Sequence, residues 1–389
     1  FNRSSRELRK WSGAVLFGGE NQMKTTLQLS GVSVCAFFAL FIATTNADTE
    51  ESPQASFAAV DTLFADYDTT ETPGCALGVI RDGEFIYRRG YGMADLEHGI
   101  PLSSQSVFRI ASTSKQFTAA AIALLAEQGQ LALDDPLKKY YPDFPAWADE
   151  VTVDHLVHHT SGVRDYLTLA YLVGKGDDPD YYTTDWAITL IGRQLETNFA
   201  PGTEYLYSNS GYLLLGQIVE KVSGMSLREF SQKHIFGPLE MEHSHFHDDH
   251  THIVPHRAAG YAPAEDGYRI SMTTLDMVGD GGVYTSIDDL LLWDRNFYMN
   301  RLGSRSQVLI EQLTTPAALA NGEPIDYAFG LTREQYRGQT LISHGGAFVG
   351  FRAEMVRFPE LNFSVAVLCN RSDAAASVLA LGVADHLLA

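Results

Sequence analysis

Between residues 57 and 67 the apolar side chains Phe57, Val60, Leu63, Phe64 and Tyr67 recur every three or four positions, the spacing of one buried helix face. The period then shortens. Residues 76–80 and 84–91 read as strands, and Asp82-Gly83 between them is a strong hairpin signal because both residues tolerate positive φ. From Lys115 to about Gly260 helical signals dominate. One helix covers 119–128 and is closed by Gly129; another covers 213–222 and is closed by Ser223-Gly224. The next starts at Ser226, with Glu229 three residues on as its capping-box partner, and Ser286-Ile287-Asp288-Asp289 opens one more. After Asp326 the strand period returns at 339–343, 351–358 and 363–369, the last two joined by a turn at 359–362, and a final apolar helix runs over about 374–388.

Strands at both ends of the chain with helices inserted between them imply one antiparallel sheet assembled from distant segments, together with an all-helical lobe. The class is α/β in the α+β sense: an antiparallel sheet flanked by helices. The expected domain spans 55–389, with a sheet lobe of 55–110 and 265–389 and a helical lobe of 111–264. Neither an internal repeat nor a low-complexity tract interrupts it.

Ahead of that domain, Met23 and Lys24 precede the apolar run 32–43, and Thr45-Asn46-Ala47 supplies the small residues of a signal-peptidase site. Residues 23–47 therefore read as a secretory signal, and 1–22 as a non-native leader upstream of a start at Met23. The run is too short for a spanning helix, which takes about 20 apolar residues. An uncleaved signal is thus the one route to a membrane, and the expected location is secreted or periplasmic. Cys75 and Cys369 remain in the mature chain, in a compartment where a disulfide persists. With 45% hydrophobic and 20% charged residues the composition is that of an ordinary globular protein. A formal charge of −20 disfavours nucleic acid and anionic membrane surfaces as partners.

Candidate chemistry begins at "FRIASTSKQFTAAAIALLAEQG", where Ser112 opens a helix and Lys115 follows one turn later on the same face. A serine hydroxyl is barely nucleophilic at neutral pH, and an amine kept neutral by desolvation can take its proton. The helix N-terminus adds N–H groups and positive potential where an oxyanion forms. Two later segments add partners. "PGTEYLYSNSGYLLLGQIVE" presents Tyr207 and Asn209 on a loop before a helix, and "TLISHGGAFVGFRAEM" presents His344 and Gly346 at a strand end.

With Ser-x-x-Lys, Tyr-x-Asn and His-x-Gly in this order, the chain resembles the serine β-lactamase and penicillin-binding-protein superfamily. It is most similar to the class C-related branch of carboxypeptidases, D-aminopeptidases and esterases, over roughly 57–389. "HHTSG" at 158–162 and "GDGGVYTSIDDLLLW" at 279–293 also look like family segments. The resemblance implies a β-lactamase/transpeptidase-like fold and acylation of Ser112, with Lys115 helping to remove its proton. Tyr207 would be the shared general base and acid, lowered in pKa by Lys115 and His344. Asn209 would bond the substrate amide, the backbone N–H groups of Ser112 and Ala347 would form the oxyanion hole, and Gly345 and Gly346 would let substrate backbone approach the strand. It also implies that the first and last strands are neighbours, which would pair Cys75 with Cys369. No cofactor is implied.

Where many relatives carry lysine this chain has His344, expected to anchor a substrate carboxylate and to lose its grip as the pH rises through about 6 to 7. The substrate is a small molecule or peptide-like amide or ester, with peptidoglycan fragments and β-lactams in range. The alternatives are a class C-like β-lactamase and a penicillin-binding sensor that does not turn over. A rival chemistry lies in "EHSHFHDDHTH", where His245, His247, Asp249 and His250 have a zinc-hydrolase spacing. That motif needs a buried strand before it, and 235–241 reads instead as a helix end and a Gly-Pro turn. The segment is accordingly assigned as a surface loop, with no metal.

Overall fold

Seven consecutive buried or nearly buried residues form the first strand of the sheet, β1 (Cys75–Arg81), and seven fully buried ones form its partner at the other end of the chain, β9 (Phe363–Cys369). Strands apolar on both faces belong at the centre of a covered sheet, and they pair antiparallel from Cys75 opposite Cys369 to Arg81 opposite Phe363. The computed structural model describes residues 53–176 and 181–388. The leader and the signal read at 1–22 and 23–47 lie outside the described residues.

The chain begins with α1 (Pro53–Leu63) and β1, then turns through Asp82 and Gly83, both at positive φ, into the edge strand β2 (Glu84–Tyr91). Two short strands later become part of a second sheet: β3 (Phe108–Arg109) pairs with β5 (Val283–Thr285), which pairs in turn with β4 (His245–Phe246). Between β3 and β5 lie α2 (Lys115–Glu127), α3 (Tyr166–Leu172) and α4 (Asn209–Ser223). Helix α5 (Ile287–Tyr298) follows β5, capped by Ser286 as expected. Strands β6 (Thr332–Tyr336), β7 (Gln339–Phe348) and β8 (Phe351–Phe358) lead to β9, and α6 (Ala376–Leu387) ends the chain. The main sheet runs β6-β7-β8-β9-β1-β2. Residues Glu51–Ala389 form one compact unit.

The pleat sorts the sheet's side chains onto two faces. Leu77, Val79, Val365 and Val367 meet Val60 and Phe64 of the N-terminal segment and Leu379 and Val383 of α6. Ala76, Ala366 and Leu368 face the larger core, where Phe117 of α2 and Ile287, Leu290 and Trp293 of α5 lie. Gly78 is required there, since a Cβ at that position would sit 2.6 Å from the Ile287 side chain. Cys75 and Cys369 are joined by a disulfide across two central strands.

Strand β6 went unread in the sequence. Its residues TREQY have no apolar alternation, because an exposed edge strand needs none; Arg337 and Gly338, both at positive φ, turn it onto β7.

Candidate active site

Helix α2 carries almost no exposed side chain from Lys115 to Leu125, so its amine is buried by necessity. A turn of 3-10 helix, Ala111–Ser114, precedes it and presents Ser112. Ala111 is held at φ +47, a conformation that costs a non-glycine residue about 1 kcal/mol or more. Neighbouring bonds impose it. Ile110 donates its N–H to Val283 O at 3.0 Å and accepts from Thr113 N at 3.1 Å, while Ser114 Oγ accepts from Val283 N at 3.0 Å. The nucleophile's turn is thereby tied to β5 on one side. On the other, Thr113 Oγ1 donates to His344 O at 3.2 Å.

Lys115 Nζ makes three contacts, matching its three donors: Ser112 Oγ at 3.2 Å, Asn209 Oδ1 at 2.9 Å and the backbone O of Asp280 at 2.6 Å. Burial lowers its pKa to about 8, against the opposing pull of Asp280 and Asp165. The amine is thus within a unit or so of neutral pH and in contact with the hydroxyl it would deprotonate. Because the protonated amine only donates, the contact also orients Asn209: Oδ1 faces Lys115 and Nδ2 is left for a substrate carbonyl. Asn209 is the first residue of α4, and its own N–H donates to Asp165 Oδ2 at 2.6 Å.

Tyr207 lies against this pair, with Nζ of Lys115 4.8 Å from its ring centre. Its hydroxyl is buried beside that of Ser112 but meets no hydrogen-bond geometry among the described residues. The expected lowering of its pKa is not what the site produces. Burial raises the phenol above its ordinary value, and the Ser112 hydroxyl is the group that pulls the other way. The ammonium stands over the ring face rather than at the oxygen, so Tyr207 rests as a neutral phenol, a proton donor.

His344 also departs from expectation. Its Nδ1 lies 2.6 Å from Gly345 O, an acceptor, so that nitrogen carries the hydrogen and Nε2 accepts from Tyr327 OH at 3.0 Å. Burial, reinforced by Lys115, lowers its pKa to about 4. A buried neutral imidazole with both nitrogens engaged is a brace for β7, not a carboxylate anchor that switches between pH 6 and 7. The two glycines after it have a packing role as well. A Cβ on Gly346 would lie 2.1 Å from Ile110 O, and one on Gly345 would lie 2.7 Å from Glu354 Oε2. They make room for the turn carrying Ser112 and for a neighbouring strand's side chain, and both also line the open groove that Ser112 borders.

Ser112 and Ala347 line a cavity of about 90 Å³, with Asn209, Asp280 and Arg109 around it and Leu275, Met277 and Phe348 as its apolar part. Ser112, Ala347, Tyr207 and Gly346 also border a second, open groove. The structure therefore brings Ser112, Lys115, Tyr207, Asn209, His344, Gly346 and Ala347 to one place, between two openings.

Three residues near them carried no role in the sequence. His159, at φ +59, stacks on Tyr207 at 4.2 Å and accepts from Ser208 N at 3.1 Å. Asp280 supplies the carbonyl that holds Lys115, and its Oδ2 accepts from Tyr166 OH at 2.8 Å. Arg109 lines the cavity from β3. The first two sit in the segments "HHTSG" and "GDGG", which were the available signal.

The zinc-like set does not converge. His250 is bonded to Asp276 at 3.0 Å, Asp249 is tied to Thr251, and only His245 and His247 touch, at 3.1 Å. Among the described residues no group of three or more His, Cys, Asp or Glu is arranged to hold a metal ion.

Comparison with known proteins places the chain by sequence and by fold. The beta-lactamase family model matches residues 60–389. A D-aminopeptidase of Gluconobacter oxydans is 32% identical over 305 residues, covering 78% of this chain and 57% of its own length. The chain thus spans about six-tenths of that relative. Among solved structures, an octameric penicillin-binding protein homologue from Pyrococcus abyssi is 29% identical with a TM-score of 0.75, covering 87% of this chain and 78% of its own. A penicillin-binding protein from Bacillus halodurans is 27% identical with a TM-score of 0.70, covering 85% and 98%. The chain belongs to the beta-lactamase family, and its β-lactamase/transpeptidase-like fold is the one expected.

Proposed function

We propose that this member of the beta-lactamase family is an exported serine hydrolase that cleaves a peptide-like amide or small ester, of D-aminopeptidase type, through an acyl-enzyme at Ser112. The observation that carries the reading is the buried Lys115 amine, 3.2 Å from Ser112 Oγ and lowered to about pKa 8, with no carboxylate bonded to it among the described residues. The neutral amine takes the hydroxyl proton as Oγ attacks the substrate carbonyl. The oxyanion then meets the N–H groups of Ser112 and Ala347. Tyr207, a neutral phenol beside Oγ, donates a proton to the leaving amine or alkoxide. The Tyr207 phenolate then takes a proton from the water that attacks the acyl-enzyme, and the Lys115 ammonium returns its proton to Ser112 Oγ as the ester breaks.

The name of the relative from Gluconobacter oxydans favours a D-aminoacyl substrate over a β-lactam. Export is supported by the signal read at 23–47 and by the Cys75–Cys369 disulfide, which belongs to an oxidising compartment. The test is a panel of p-nitrophenyl esters, D-aminoacyl p-nitroanilides and a chromogenic cephalosporin, run on the parent protein and Ser112→Ala. Turnover of an ester or anilide that is lost in the variant, with a mass shift on the peptide containing Ser112, supports the reading. Turnover retained by Ser112→Ala overturns it, and preferential turnover of the cephalosporin makes the protein a β-lactamase instead.

A further inference from the structure

The buried guanidinium of Arg109 has no use in the chemistry above. The residue is 5% exposed, and its Nε is buried with no hydrogen-bond partner among the described residues. It makes two aromatic contacts, its Cζ lying 5.3 Å from the Phe348 ring centre and 6.0 Å from that of Tyr284. Neither ring accepts an N–H as a carboxylate does. The nearby acid, Asp280, has Oδ2 engaged by Tyr166, and burial raises its pKa. Its compensation of the guanidinium is therefore partial. A buried N–H donor left without an acceptor is unfavourable, and an anion in the cavity that Arg109 lines would satisfy both that donor and the charge.

Arg109 lines the same small cavity as Ser112, and that cavity has room for roughly six water-sized groups. Resting on the acyl-transfer reading, we infer that Arg109 is the specificity residue of the acyl pocket, binding the carboxylate of a short acidic side chain such as that of a D-glutamyl or D-aspartyl residue. The planar fork suits this, since it presents paired N–H donors to the two oxygens of a carboxylate. The apolar wall of Leu275, Met277 and Phe348 takes the intervening methylenes.

Two measurements test it, one of them independent of catalysis. In Ser112→Ala protein, calorimetric titration with glutarate is expected to show binding that the neutral isostere glutaramide lacks, and that weakens about 10- to 100-fold when Arg109→Met is added, the range of a charge-assisted pair. With active protein, kcat/KM for D-glutamyl p-nitroanilide over that for D-alanyl p-nitroanilide is expected to exceed one, and Arg109→Met to collapse the ratio through KM. Arg109→Lys, checked by near-UV circular dichroism, keeps the charge without the fork and should fall between; it also serves if the methionine variant does not fold. Glutarate binding that is absent, or equal with and without Arg109, overturns the inference, as does a parent protein that does not favour the acidic substrate. Failure to cleave any amide or ester counts against the acyl-transfer reading alone, because the glutarate titration still decides the role of Arg109.

Discussion

Raising the pH from 6 to 9 should switch the site on by titrating Lys115. With a pKa of about 8, the neutral fraction of the amine is about 1% at pH 6, about 10% at pH 7 and about 90% at pH 9. If only the neutral amine takes the Ser112 proton, kcat/KM rises roughly 100-fold over that range, with unit slope on a logarithmic plot below pH 8 and a plateau above it. The assay is kcat/KM on an uncharged ester, corrected for spontaneous hydrolysis and repeated by stopped-flow acylation to separate attack from turnover.

The same titration has a signature in stability. The folded-state pKa lies below the ordinary lysine value of 10.5, so between pH 8 and 10.5 the unfolded chain holds the proton that the folded chain has lost, and stability rises with pH there. The cost of the buried charge is complete below pH 8 and gone above about 10.5. Relative to Lys115→Met, the parent protein should therefore gain about 3 kcal/mol across that window in chemical denaturation, where other groups cancel between the two proteins. An acylation rate that is flat or falling from pH 6 to 8, or one whose inflection sits at 6 to 7 where a solvated histidine titrates, would refute the assignment of Lys115 as base.

Tyr207→Phe removes a buried hydroxyl that makes no well-formed hydrogen bond among the described residues; it should leave the melting temperature unchanged or slightly raised while lowering kcat by about 100-fold or more, and an unimpaired kcat would remove Tyr207 from the mechanism. Gly346→Ala drives a methyl into Ile110 O; a loss of about 2 kcal/mol by denaturant titration and a slowed acylation phase are expected, since Ile110 is two residues from Ser112. Replacing both Cys75 and Cys369 with serine opens a cross-link between residues 294 apart, which should cost about 4 kcal/mol without altering KM; free thiols in non-reducing peptide mapping of the parent would contradict the bond.

The main sheet was legible because its central strands are buried on both faces and therefore continuously apolar, as in "CALGVI" and "FSVAVLC". The capping box at Ser226 and Glu229 and the Asp82-Gly83 turn were equally plain, because each is a local bond or a local φ. An edge such as Thr332–Tyr336 was not, since its middle side chains are exposed and show no apolar alternation.

At the site, the family resemblance carried by the order of Ser112, Lys115, Tyr207, Asn209 and His344 implied that they meet, and the structure brings them together. What the order did not reveal was their protonation. Tyr207 was expected to be lowered and is raised; His344 was expected to titrate near neutrality and is lowered to about 4. Both errors have one origin. The sign of such a shift depends on how much water the fold removes and on which face of a ring a charge occupies, and neither is written in residue spacing. The same holds for Arg109, an unremarkable residue in "FRIAS" until β3 buries its guanidinium beside Ser112. The chain's own pattern determined which segments become strands and helices and which side chains carry chemistry, because those depend on periodicity and local bonds. Tertiary structure alone decided which of these groups are charged, which are braces and which face a substrate, because burial and charge proximity arise only when segments as distant as 109, 207 and 344 share one low-dielectric volume.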